Sequence, residues 1–503
     1  MRLSLAAAAA ALVVGSTLAL AGTASATTTA SGDSARDRLA QMAERQGRTS
    51  SVLESDKIAQ LASNPTQTGI SGCFMKTAPI FVTSGVDSLR VWNVSDPGQP
   101  RLVGTLLNVL FENEAMNCGE RTTSRGTQRF ALIGVDLVQA APDDIEHVNA
   151  GGNELIVVDV TKPSAPTILS RTPGTTSTHT VACVQERSCR YAYSAGGRDD
   201  FSVFDLRNLR KPVEVDSKSK TAGVQPFASP TGGHKWNFDA AGIGTHTGFG
   251  GASMWDTSNP QRPRLITTTG KAGAGEDPRF PGYNDFILHN SFRPNATAFK
   301  PGKRPSIANG NVLLVTEEDY EQTDCAVAGS FQTWWVKRLD GTPSAIVPLD
   351  KVELADLGNF PLPRGAFCSS HWFDYRPGGL VAAGFYGGGT QVLDVRDPRD
   401  IQPYAHSIWG LSEVWDAMWV PVYESGTQTG ARTNVIYSID LVRGLDVYAV
   451  DVPGDGRGAV PPASRGSERT VGQRVAGGVV PLGLVGAAMA TALAVRRRRP
   501  PTA

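Results

Sequence analysis

A net charge is what this 503-residue chain lacks: 48 basic side chains stand against 48 acidic ones. A nucleic-acid binder usually carries a basic surplus or stripe, so a strongly electrostatic partner of that kind is excluded. Also missing are a GxSxG elbow, a P-loop, an HExxH helix and any CxxC pair. Their absence removes the common signatures of serine hydrolases, phosphate-cradling nucleotide binders, zincins, zinc ribbons and thioredoxin-like redox sites. Histidine is scarce, with seven residues, so the places where it falls are informative.

The chain opens Met1-Arg2, runs through an Ala/Leu/Val stretch to Leu20 and reaches Ala24-Ser25-Ala26. That charged, apolar and small-residue order predicts a secretory signal over 1–26, cleaved after Ala26. At the other end 475–495 carries no charged side chain and Arg496 to Arg499 follow at once. As a helix the span would cross roughly 30 Å of hydrocarbon. The positive-inside rule then puts 496–503 in the cytosol as a basic tail and everything earlier outside. A processed sorting tail is the competing reading of the same span, without an LPxTG-type sequence ahead of it. The six cysteines, Cys73, Cys118, Cys183, Cys189, Cys325 and Cys368, all fall in the expected exported region and read as disulfides. Cys183 and Cys189 flank a short turn and can bridge it. Adjacent repeats suggest Cys73 with Cys118 and Cys325 with Cys368, other connectivities remaining open.

Between these ends one pattern recurs. Leu89-Arg90-Val91-Trp92-Asn93-Val94-Ser95-Asp96-Pro97 matches Leu155-Ile156-Val157-Val158-Asp159-Val160-Thr161-Lys162-Pro163, and related copies end near Pro212, Pro260, Pro398 and Pro453. Each is a short β-branched or aromatic strand ending in Asp or Asn, then a turn, and often a further strand. The aspartate is expected to hydrogen-bond the backbone of that turn. Two strand-like runs precede each copy, so the unit is a four-stranded antiparallel sheet, the blade of a β-propeller. Counting a divergent copy at Asn311 to Thr316 gives an all-β fold of seven four-stranded blades over 69–453, with six or eight as alternatives because Glu317 to Leu357 blurs one boundary. The segment 27–68 is read as an N-terminal stretch with a short helix at Ser34 to Gln46, 454–474 as a flexible stalk, and 475–495 as the C-terminal transmembrane helix. The strand Leu155-Ile156-Val157-Val158-Asp159 resembles the LVIVD-repeat family of secreted bacterial propellers. That resemblance implies the fold and a binding or scaffold surface, with no fixed chemistry.

Four histidines open the first strands of successive blades: His179, His234, His289 and His371. Aligning the other blades puts Glu114 and Asp416 at the same place. First strands line the central channel of a propeller, so these six residues are expected to ring one mouth and to offer nitrogen and oxygen donors to copper, zinc, iron or manganese. The turns between second and third strands should reach the same mouth, bringing Arg198, His246, Glu317, Tyr386, Asp440 and Arg443 to a ligand. The blander reading is that such residues hydrogen-bond the loop entering each blade around a water-filled channel. His147 and His406 fall outside the pattern, and Trp236, Trp372, Trp415 and Trp419 read as packing between blades rather than a stacking platform.

Two functions follow. The first is a ligand- or protein-binding module, a single-pass cell-membrane protein whose extracellular propeller binds through one channel mouth, its partners the membrane and an unidentified extracellular ligand or protein, with no nucleic acid. The alternative is a metal-dependent enzyme, an oxidoreductase, with its histidine-rich site at the channel mouth.

Overall fold

The turn-forming aspartates show how the chain is built. The computed structural model describes residues 52–452, except 65–68, 86–87, 108–113, 115, 125, 136–152, 197–198, 277, 343 and 364–366. In it the recurring strand is the third of its blade: Ser88–Asn93, Glu154–Asp159, Val203–Asp205, Gly251–Asp256, Thr390–Asp394 and Gly444–Val450. Its terminal carboxylate or amide accepts the backbone N–H two residues on, as Asn93 does from Ser95, Asp159 from Thr161, Asp205 from Arg207, Asp256 from Ser258 and Asp394 from Arg396. These local bonds stop the strand and reverse the chain. The turn then docks on the preceding blade: the carbonyls of Pro97, Pro260 and Pro398 accept from Tyr437, Tyr193 and Thr333.

Seven antiparallel sheets of four or five strands result among the described residues, beginning with first strands Gly69–Phe74, Asn117–Thr123, Thr180–Cys183, Gly233–Phe238, Ile287–Phe292, Phe373–Arg376 and Val414–Glu424, here blades 1 to 7. Side chains alternate across each sheet, so one strand feeds two cores. Phe81 and Trp92 of blade 1 pack with Tyr437 and Ile439 of blade 7, whereas their neighbours Val82 and Val91 pack with Ile133 and Ile156 of blade 2. Trp236, Trp415 and Trp419 are fully buried, and Trp372, also buried, lines the channel.

Two strands that the sequence reading did not find close the ring. Ile58–Asn64 pairs antiparallel with Gly444–Val450 as the outer strand of blade 7, and Val52–Glu54 adds a fifth strand to blade 6 on Gln402–Trp409. The divergent copy is also displaced. Val312–Glu318 is the second strand of blade 5, and its third, Phe331–Val336, lies inside the stretch read as an insertion. Disulfides join Cys73 to Cys118, Cys183 to Cys189 and Cys325 to Cys368.

The membrane part of the expected fold is corrected. The helical elements among the described residues are 3-10 turns of three to five residues, and no helix there is long and apolar enough to cross a membrane. The span 475–495, like the signal 1–26, the helix at Ser34 to Gln46, the stalk 454–474 and the tail 496–503, lies outside the described residues. Among the described residues the fold is therefore a propeller without a transmembrane helix, and the membrane as partner, the single-pass topology and the cell-surface placement lose their support.

Candidate metal centre

Glu114, in the segment entering blade 2, is the hub of a buried cluster. Its Oε2 lies 2.9 Å from His179 Nε2, 3.1 Å from His234 Nε2, 3.2 Å from His289 Nε2 and 3.8 Å from His371 Nε2. The four imidazoles come from blades 3, 4, 5 and 6 in turn, with neighbouring ring centroids 4.6, 4.4 and 4.1 Å apart. A second carboxylate, Glu318 at the end of the second strand of blade 5, stands 3.6 Å from His289 and 3.8 Å from both His234 and His371. Tyr386 donates its hydroxyl to Glu318, and its ring lies against His371.

Local geometry aims these groups. His371 Nδ1 donates to the carbonyl of Trp415 at 2.7 Å, which fixes the tautomer that turns the Nε2 lone pair inward. The entry to blade 3 is clamped just before His179: Thr178 Oγ1 donates to Glu154 O and accepts from Val135 N. Gly134 permits this approach, since a Cβ there would meet the Thr178 carbonyl at 1.6 Å. The disulfides add covalent staples, because Cys118 follows Glu114, Cys183 follows His179 and Cys368 precedes His371 by only a few residues.

Electrostatics divide the two carboxylates. Burial would raise Glu114, but the charges and hydrogen bonds of His179 and His234 overcome it and hold the carboxyl well below the usual range. Glu318 is pushed up to about 7 by burial and then by the charge of Glu114, with His371 opposing. Burial, followed by His371 and His234, drives His289 well down. Burial also opposes the charged form of His371, yet the nearby carboxylates of Glu114 and Glu318 lift it above its ordinary value.

Two groups of donors, Glu114 with His289, Glu318 and His371, and Glu114 with His179 and His234, each have their ligand atoms within 4.8 Å of one another. Opposite donors around one ion with bonds near 2.1 Å stand about 4.2 Å apart. These clusters can coordinate a transition-metal ion. The polar atoms fit that use: His371 Nε2, His289 Nδ1 and Glu318 Oε2 are buried without a hydrogen-bond partner among the described residues, a costly state that an ion at the two inward-facing atoms, His371 Nε2 and Glu318 Oε2, would relieve. Two carboxylates also balance a divalent cation while the imidazoles stay neutral.

Of the expected metal ligands, Asp416 stands apart from both groups. It lines a cavity of about 1050 Å³ that runs along the channel from Glu114 and Lys235 to the turns between first and second strands. This cavity lies on the side of the centre away from the turns between second and third strands, where a ligand was expected. The residues proposed for that ligand are otherwise engaged. Glu317 accepts from Asp285 N, Ser330 and Gln332. Asp440 accepts from Ser412, Glu413 N, Val442 N and Arg443 N, closing its own turn. Arg443 pairs with Asp446 and lies over Trp409. His246 is buried against Trp236 and bonded to Ser229, with burial pushing it down to about 3. Arg198 and His147 lie outside the described residues. Of the described members of that set, Tyr386 reaches the centre. Glu318 went unread because the alternation of a strand puts one of two adjacent glutamates inward, and Glu317 was taken for it. The signal was available: the strand Val312–Glu318 is buried throughout, and a buried carboxylate demands a cation or donors.

Asp416 supplies a test of the channel. Burial first, then Asp374, raises its carboxyl to about 7, so between its ordinary value and that pH the folded chain keeps a proton that the unfolded chain has lost. Stability therefore falls as pH rises through that window. Asp416→Asn should flatten the fall, gaining on the order of 2–4 kcal/mol over the parent between pH 4 and pH 8. Urea midpoints of both chains at the two pH values measure it, and parallel shifts would refute it.

No protein-family model matches the chain, and no curated protein matches it. Among solved structures it is similar to the crystal structure of the Cps50 (Swd1) β-propeller domain of Myceliophteria thermophila, at 11% identity, with 78% of this chain and 99% of that one covered and a TM-score of 0.49. The seven blades stand in the chain's own sheets.

Proposed function

We propose that the chain is a metal-dependent enzyme, an oxidoreductase, whose transition metal is held by His179, His234, His289 and His371 with Glu114 and Glu318. The observation that carries this reading is the convergence of four Nε2 atoms, from four blades, to within 3.8 Å of one Glu114 oxygen. Catalytic zinc typically takes three protein ligands and a water. Four imidazoles with two carboxylates suit zinc, copper, iron or manganese, of which the redox-active ions would supply electron transfer when bound. The cavity reaching Glu114 gives a small molecule room to approach. The likeness of Leu155 to Asp159 to the LVIVD strand belongs to this reading as a proposal about how the blades are constructed.

Metal analysis of the purified chain tests it. Near-stoichiometric copper, iron or manganese is expected, falling at least tenfold in His234→Ala/His289→Ala, with the ion cycling between oxidation states under ascorbate and ferricyanide. Folded, metal-free parent protein, or metal retained by the double variant, would overturn the ligand assignment. A redox-inert ion alone would overturn the oxidoreductase.

A further inference from the structure

Lys235 follows His234 on the first strand of blade 4, about 3.3 Å further along the strand and on the opposite face of the sheet. It is buried to 8% exposure. Its Nζ sits 4.3 Å from the centroid of the Trp372 ring, and it lines the cavity that also touches Glu114. Of the other charges along that cavity, Lys76 pairs with Glu186 at 2.6 Å, Arg432 with Asp374 at 3.2 Å, and Asp239 with Arg293 at 2.6 Å, whereas Arg187 donates to the Gln428 carbonyl and Asp416 joins no ion pair among the described residues. Lys235 joins no carboxylate in an ion pair among the described residues, Asp416 acting on it only as a nearby charge.

A desolvated ammonium without a counter-ion is expensive, and contact with the face of an indole compensates only part of it. Met116, Met418 and Phe373 line the same cavity as Trp372, together with the polar Asn290 and Asp416. A cation fixed against an aromatic wall beside a candidate metal site matches a ligand with one anionic end and an apolar body.

We propose that the channel beside the metal centre is the substrate chamber and that it takes a small organic carboxylate, the carboxylate on Lys235 and the body against Trp372, so that the far end points to Glu114 and the imidazoles. This inference rests on the metal reading for the direction of the reacting end. The carboxylate would complete the ion pair that Lys235 lacks through a charge-assisted contact.

Benzoate and its neutral counterpart benzamide are the probes, titrated calorimetrically into the full chain, with metal content measured on the same samples. Benzoate is expected to bind about tenfold or more tighter than benzamide, a gap of about 1.4 kcal/mol. Lys235→Met should erase the gap and Lys235→Arg should retain most of it, with the melting temperature reporting that each variant is folded. Equal affinities for the pair, no detectable binding of either, or undiminished benzoate binding by Lys235→Met would overturn the proposal. Normal metal content with no preference for the anion defeats the chamber alone. Anion preference in a chain that never holds metal supports the Lys235 site and defeats the metal reading instead.

Discussion

A chain beginning after Asn64 is expected to yield little soluble, cooperatively folded protein. The outer strand of blade 7 is Ile58–Asn64, supplied by the front of the chain to a sheet whose other three strands come from its end. Without it the Gly444–Val450 strand becomes an exposed edge in a blade that must seal against blades 6 and 1. The loss takes the strand's ladder hydrogen bonds, each contributing about 0.5–1.5 kcal/mol, and the burial of Ile58 against Ala405 and Val450. It also takes Val52–Glu54 off blade 6. Together these amount to several kcal/mol, comparable with the 5–15 kcal/mol that typically separates folded from unfolded. Solubility and thermal melting of the truncated chain provide the measurement. A melting temperature within about 2 °C of the parent would mean that closure does not depend on this strand.

Loading metal-stripped protein with its ion should give the second large effect. An ion that binds only the folded state adds about 4 kcal/mol at a free concentration a thousandfold above its dissociation constant. For a domain of this size that corresponds to a rise of several degrees in melting temperature. His289→Ala/His371→Ala should lose the whole of that rise, since it removes two of the four donors in one of the two groups. Copper, zinc, iron and manganese added separately rank the ions. Should none shift the melting curve of the parent, the centre is a hydrogen-bonded cluster and nothing more.

How much of this was legible in the sequence depended on whether the signal was periodic. The Asp and Asn residues that end third strands repeat with their turns, so the blade and its capping bonds could be read in advance. The four histidines recur at one position of the blade, which is why Glu114 could be aligned with them. Glu318 comes from the other end of a second strand, where no repeat marks it, and a one-residue choice on an alternating strand sent the reading to Glu317. Lys235 was hidden beside a histidine, its role appearing only once Trp372 from another blade faced it. Val52–Glu54 and Ile58–Asn64 were missed because a closing strand has no copy of the repeat around it and finds its partner nearly four hundred residues away, as Gln60 does at Asp446. In blade 5 the third strand lacks the terminal aspartate, so the count of seven was right while one register was wrong. Asp416 keeps the alignment of the ring but sits a level deeper, in the cavity rather than among the donors.

The donors are spread over blades 2 to 6, from Glu114 to His371, and the last blade is sealed by the first strands of the chain. Such a coordination shell has no local precursor: no single hairpin or pair of adjacent blades presents more than a fraction of it. Capture of an ion is then a late event in folding, after the slow, long-range pairings that close a toroid of this topology. Timed against refolding, the appearance of bound metal would serve as a clock for ring closure.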